Sequence, residues 1–154
     1  MRVVLQRVNS ARVVVDNRQY GRIGRGLVAL VGVGRNDDKS DVFYIARKIR
    51  DLRVFSDSEG KMNHSLLDIG GAVLVVSQFT LYGDCRKGRR PSFDNAARTA
   101  EARSLYEDLI ATLCSTGLTV QTGEFQTMMR VELVNDGPVT LMIDSADRLR
   151  PRRG

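Results

Sequence analysis

The clearest pattern in the chain is Ala72–Val76, five apolar residues in an unbroken run that ends at Ser77, Gln78 and Thr80. A short, β-rich run without alternation reads as a strand buried on both faces. Two hydroxyls and an amide at the end of such a strand are costly unless something hydrogen-bonds them. The stretch therefore presents polar groups from a rigid base, as binding pockets commonly do. The alternative is a strand whose Ser and Thr simply bond to neighbouring backbone.

The rest of the pattern predicts a mostly β chain with two helices. Val3-Val4-Leu5 and Ala11–Val15 read as strands, and Asp16-Asn17 supplies a turn before a short strand at Gln19–Ile23. Leu27–Val33 reads as a more deeply buried strand. Asp37-Asp38-Lys39-Ser40 can cap a helix in which Val42, Ile45, Ala46 and Ile49 share one face. Arg53-Val54-Phe55 is extended, Asp57–Gly60 turns, and Met62–Ile69 is expected to be irregular. A second helix is expected from about Asn95 to Thr116, with Ala102, Leu105, Leu109 and Leu113 on one face and Gly117 at its C-terminal cap. Thr119–Thr122, Arg130–Val134 and Val139–Ile143 complete the strands. On the pattern alone, Asn135-Asp136-Gly137-Pro138 between the last two is an ordinary hairpin turn. The tail from Asp147 is polar and expected to be mobile.

Composition narrows the picture. A hydrophobic content of 42% over 154 residues supports one domain with an ordinary core, taken as 1–146, followed by a basic tail at 147–154. The longest apolar stretch, Gly26–Gly34, is far too short to span a membrane, and no segment reads as a signal peptide. Cys85 and Cys114 stand in unrelated settings, so neither a disulfide framework nor a paired metal motif is suggested, and a reducing, cytoplasmic setting fits best. His64 is the only histidine and has no evident co-ligands; it reads as surface or loop packing.

The net charge of +6 is unevenly spread. Residues 1–53 carry 12 Lys/Arg against 5 Asp/Glu, and Arg86-Lys87-Gly88-Arg89-Arg90 and the tail hold most of the remaining excess. Such segregation suggests a polyanionic partner, against the plainer reading of a solvated surface. No aromatic residues interleave with the arginines, as a single-strand stacking platform would require.

Two signatures make the chain recognisable. Ser77-Gln78-Phe79-Thr80-Leu81 and Asn135-Asp136-Gly137-Pro138-Val139-Thr140 resemble the SQxxL and NxGPVT motifs of the D-aminoacyl-tRNA deacylases. The resemblance runs from Arg2 to about Ser145 and takes in Gln6-Arg7-Val8, Gly60-Lys61-Met62-Asn63, Arg90-Pro91-Ser92-Phe93 and Asp144-Ser145. It implies an α+β single domain of mainly antiparallel sheet, with a barrel-like core and about two helices packed on it. It also implies a homodimer with active sites at the subunit interface, no metal and no organic cofactor. The implied substrate is tRNA charged with a D-amino acid or glycine.

By this resemblance Gly137-Pro138 is the family's cis peptide, inserted into the partner subunit's pocket. Its carbonyls would crowd the Cα of the aminoacyl group, so that an L side chain collides while a D side chain or glycine does not. Ser77 and Gln78 would bind the aminoacyl end and Phe79 would shape the adenosine pocket. Arg7, Phe125, Met129, Asn135, Val139 and Thr140 complete the implied substrate site. Thr80 is a tempting nucleophile, but no His, Asp or Glu lies among Ser77–Tyr82 to activate it. The family's implied scheme instead uses the substrate's ribose 2′-OH to activate water, with backbone N–H groups near Phe79 and Thr80 stabilising the oxyanion.

One departure stands out: where the family usually reads GxFGAxM, this chain has Gly123-Glu124-Phe125-Gln126-Thr127-Met128-Met129. A non-catalytic RNA-binding module of the same fold is the competing reading, and the charge distribution fits it equally well. The paired signatures argue against it, because simple binding does not require Gly-Pro inside a pocket. A general esterase lacks its Ser-His-Asp set here.

Overall fold

The computed structural model describes residues 1–151. Its organising element is β1 (Arg2–Val15), one continuous strand of 14 residues where the pattern suggested two shorter ones. The intervening polar stretch stays in the sheet because both edges of β1 are paired. One edge takes β3 (Gly26–Gly32) over Arg2–Val8 and β2 (Arg18–Ile23) over Ala11–Val15, both antiparallel. Asp16 and Asn17 turn β1 into β2 with φ of 47° and 62°, the left-handed conformation that Asp and Asn tolerate best.

The other edge of β1 takes β8 (Arg130–Asp144), antiparallel, from Arg2 opposite Asp144 to Val14 opposite Arg130. This corrects the hairpin reading of Asn135–Pro138. The chain does not reverse there: β8 bulges, with Thr140 opposite Gln6 and Asn135 opposite Val8, so that residues 136–139 project beside Arg7. The Gly137-Pro138 peptide is cis.

Beyond β3 the sheet becomes parallel, through β6 (Ala72–Ser77) and then β7 (Thr119–Thr122). It curls until β2 meets β7. A Cβ placed on Gly21 would lie 2.5 Å from the Thr122 carbonyl oxygen, so only glycine lets the two strands come so close. The result is a nearly closed barrel of mixed sheet.

Two buried clusters explain why β3 and β6 are apolar throughout. Leu27, Ala29, Val31, Val73 and Val75 pack outward, toward Ile45, Ile49, Leu109 and Leu113. Val28, Leu74 and Val76 point inward, with Val8, Val13 and Ile23. The outer cluster is covered by α1 (Lys39–Asp51) and α2 (Thr99–Ser115). Helix α1 has the predicted apolar face, and Asp38 and Asp41 form a capping box at its start. Helix α2 starts at Thr99, four residues later than expected, because Asn95–Ala97 is bonded to the segment after β3 instead: Asn95 O accepts from Arg35 N, and Ala97 N donates to Val33 O. Gly117 follows α2 at φ +83°, as the cap reading required.

Two smaller corrections follow. Met62–His64, expected to be irregular, forms β5 and pairs with β4 (Phe55–Ser56), with His64 exposed. At the C-terminal end, Ser145–Leu149 forms a 3-10 turn from which Arg148 reaches Asp41 at 2.7 Å and Ser40 at 2.6 Å. The last three residues of the expected tail lie outside the described residues. Among the described residues no helix is long and apolar enough to cross a membrane.

Candidate functional site

Strand β6 ends where the sequence turns polar. Gln78 N donates to Val31 O at 2.7 Å, extending the β3–β6 ladder by one bond, and Phe79–Tyr82 then makes a 3-10 turn. Thr80 and Phe79 are thereby lifted out of the sheet, and Phe79 is 57% exposed. The Gln78 side-chain amide donates to Thr80 Oγ1, so Gln78 and Thr80 are held as a pair. Phe79 is braced from behind by the edge of Phe93, with ring centroids 4.9 Å apart.

Above this strand end lies a cavity of about 640 Å³. One wall is Ser77, Gln78, Phe79 and Thr80; the opposite wall is Phe125–Met129, on the segment leading into β8. Ala96, Ala97, Thr99 and Ala102, from the approach to α2 and its first turn, form the third side. Among the described residues no His, Asp, Glu, Lys or Arg lines it. The groups on offer are hydroxyls, amides, thioethers and two aromatic rings, Phe79 and Phe125. That lining suits a flat, weakly polar ligand, and chemistry that draws its base from the ligand or from beyond the described residues of this chain.

The far wall is anchored to the core by one carbonyl. Val75 O accepts from Gly123 N and from the Tyr106 hydroxyl, each at 2.9 Å. Burial pushes the Tyr106 hydroxyl well above the ordinary tyrosine range, so it remains a donor. Tyr106 also packs on Phe125, and the Arg103 guanidinium lies 4.6 Å from the Phe125 ring centroid. Gln126, in place of the family's usual glycine, sits at φ +62° and so occupies the left-handed region with a full side chain. Thr127 Oγ1 lies 3.4 Å from Phe125 O.

The cavity thus brings together Ser77, Gln78, Phe79, Thr80, Phe125 and Met129. It does not include Arg7, Asn135, Gly137, Pro138, Val139 or Thr140, which form a second group at the β8 bulge, Arg7 reaching it from β1. Arg7 is buried; its Nη1 donates to Val54 O at 2.6 Å, and its Nε reaches both Asp136 O and Asp136 Oδ2 at 3.2 Å. Asn135 closes the bulge from the other side, accepting from Val139 N at 3.0 Å and donating to Thr140 Oγ1 at 3.1 Å. Between these clamps Gly137 takes φ +124°, and a Cβ there would sit 2.9 Å from Arg7 Nη2. Gly137 and Pro138 face outward and are exposed.

Sequence reasoning placed Ala102 on the apolar face of its helix and Val33 in a buried strand, and singled out neither these nor Ala96 and Ala97 as part of a site. Small apolar residues carry no chemical signature; what they contribute is room. Met128, almost fully exposed at the cavity rim, could have been found only by placing the segment three-dimensionally.

Comparison with known proteins agrees with this arrangement. The family model described as D-Tyr-tRNA(Tyr) deacylase matches residues 4–144. A D-aminoacyl-tRNA deacylase of Heliobacterium modesticaldum is 59% identical over 144 residues, covering 94% of this chain and 96% of that one. Its counterpart in Clostridioides difficile is 56% identical over 146 residues, covering 95% and 98%. Among solved structures, a c-Myc DNA unwinding element binding protein superposes with a TM-score of 0.88 at 38% identity, covering 94% of this chain and 98% of that one. A probable eukaryotic D-amino acid tRNA deacylase, at 18% identity, shares the fold with a TM-score of 0.80 and coverage of 92% and 97%. The chain belongs to the D-aminoacyl-tRNA deacylase family.

Proposed function

We propose that this protein hydrolyses the ester joining a D-amino acid, and also glycine, to tRNA, and that it works as a homodimer. The observation that carries the reading is the cavity over Ser77–Thr80: hydroxyls and amides, no titratable lining group, in a chain of this family. A hydroxyl nucleophile needs a base within hydrogen-bond reach, and Thr80 has only the Gln78 amide. Water activated by the ribose 2′-OH of the substrate removes that need. The protein then contributes position, through Ser77 and Gln78, and charge stabilisation, through the peptide N–H groups of Phe79 and Thr80.

In this scheme selection against L-aminoacyl groups is steric and comes from Gly137-Pro138 of a second subunit. The separation of the two groups of residues within one chain favours that division of labour. So does the exposure of Val134, Leu141 and Met142 along β8, on either side of the bulge. A two-fold pairing through this strand would cover those side chains and exchange the two bulges. Arg7, Asn135, Val139 and Thr140 then act by holding the bulge, while Phe125 and Met129 shape the adenosine pocket.

The test is deacylation of D-Tyr-tRNA, L-Tyr-tRNA and Gly-tRNA by protein pretreated with chelator. Cleavage of the D and Gly esters with L spared supports the scheme. Equal cleavage of D and L removes steric rejection and keeps the esterase. Binding of tRNA without cleavage of any ester supports the RNA-binding module instead.

A further inference from the structure

The cavity has no cation on its lining, yet the ligand proposed for it is the end of a polyanion. Single arginines flank it, Arg103 over the Phe125 ring and Arg98 between Ala97 and Thr99, but the densest run of positive charge beside it is the segment between Asp84 and Ser92. These two residues exchange backbone hydrogen bonds, Asp84 N to Ser92 O at 2.7 Å and Ser92 N to Asp84 O at 3.0 Å, which cinch the loop at its neck. Everything from Cys85 to Pro91 is exposed. Gly88 occupies the left-handed region at φ +69° with open space where a side chain would stand.

The four cations of this loop are not equivalent. Arg86 is folded back onto Asp84 through three contacts of 2.6–3.0 Å and stiffens the neck. Lys87, Arg89 and Arg90 form no ion pair among the described residues. Three like charges within four residues repel one another and stabilise nothing in the fold. Their position gives them a use. Phe93, next to the neck, packs edge-on against Phe79, which is a wall of the cavity. The loop therefore stands beside the cavity, one side chain removed from it.

We propose that the Asp84–Ser92 loop is a phosphate grip, in which Lys87, Arg89 and Arg90 hold the backbone of the RNA strand whose 3′ end enters the cavity beside Phe79. This rests on the deacylase reading and adds to it where the strand runs. Residues 85–91 contain no aromatic residue, so the loop neither stacks on bases nor supplies the apolar anchor that protein partners use. It recognises charge spacing alone, and its contribution is to affinity rather than to the choice of amino acid.

The test compares wild type with K87Q/R89Q/R90Q and with a control of equal charge loss, R18Q/R22Q/R47Q. The control sites are exposed, belong to β2 and the outer face of α1, and do not line the cavity. Binding of uncharged tRNA is measured across salt concentrations, and deacylation is followed on D-Tyr-tRNA and on D-Tyr-adenosine, which has no phosphodiester. Each lost phosphate contact lowers the salt slope by about 0.7 to 0.9, so the loop variant should lose about 2 to 3 from its slope. Between 50 and 200 mM salt, wild-type affinity should then fall roughly 20- to 40-fold more than that of the variant. KM for D-Tyr-tRNA should rise at low salt with kcat retained, and cleavage of D-Tyr-adenosine should not change.

An unchanged slope overturns the proposal and leaves an acidic protein segment as the better partner for the loop. An equal loss of slope in the control overturns it too, because any surface cation would then serve. A parallel loss on D-Tyr-adenosine overturns it by placing the effect in the cavity. If wild type cleaves neither ester, the deacylase reading fails on its own, and the tRNA-binding slopes still decide whether the loop grips phosphate.

Discussion

Arg7 is the residue whose removal should do the most with the least ambiguity. It is buried on β1 and ties together two segments distant in sequence, the Val54 carbonyl and the Asp136 bulge. In Arg7→Ala, the Val54 carbonyl loses a charge-assisted donor at 2.6 Å in a buried setting. Leaving such a group unpaired costs about 1–3 kcal/mol. The bond to Asp136 O adds about 1 kcal/mol, while the ion pair to its carboxylate, a third exposed, adds little after solvent screening. The total is about 2–4 kcal/mol, which for a chain of this length lowers Tm by about 5 to 15 °C. Arg7→Lys keeps the charge but cannot span both partners as the guanidinium fork does, so it should recover only part of the loss. Thermal melts followed by circular dichroism read the stability, and the D-Tyr to L-Tyr deacylation ratio reads the bulge. The ratio should fall toward one in Arg7→Ala at temperatures where the variant is folded. A variant melting within about 2 °C of wild type with its ratio intact would refute the clamp.

Three further expectations are independent of this one. Gln126→Gly removes a side chain from the left-handed region, where an L residue costs about 1–2 kcal/mol, against about 0.5–1 kcal/mol of added unfolded-state entropy; Tm should rise by up to about 6 °C in a melt. Thr80→Ala should retain kcat within about tenfold, whereas a loss approaching the 10⁶-fold of a deleted nucleophile would restore the acyl-enzyme scheme. The Asp84 carboxyl, held down to about 2 by its hydrogen bonds to Arg86, should titrate there in a carbon-detected NMR pH series and move up in Arg86→Gln. Because the folded value lies below the unfolded one, its stabilising effect is present above about pH 4 and disappears as pH falls through about 2.

What the sequence disclosed was whatever depends on near neighbours. The double-sided burial of Ala72–Val76, the Asp16-Asn17 turn, the cap and apolar face of α1 and the Gly117 stop are all local, and all stand in the structure. What stayed hidden depends on distant partners. Nothing near Asn135–Pro138 says that the same edge of β1 receives the chain before and after the break, so a turn was the reasonable reading. The late start of α2 has the same origin, since Asn95–Ala97 is committed to residues 33–35. At the site, the Ser77–Thr80 wall was legible because polar groups ended an apolar strand. The alanine wall was not, because it acts by what it leaves out.

The double use of β1 sets the order in which this chain can fold. Its pairing with β2 and β3 closes within the first 32 residues, but its other edge waits for residues 130–144. At translation rates of about 5–20 residues per second, that edge is exposed for about 6 to 22 s on a nascent chain. An unpaired edge of this length is a template for intermolecular pairing. The charges of Arg2, Arg7 and Arg12 on β1, all later matched by Asp144, Asp136 and Glu132 of the arriving strand, discourage another copy of β1 from docking there first. The same three ion pairs that join the strands in the finished protein thus make β8 a better match for this edge than a second copy of β1.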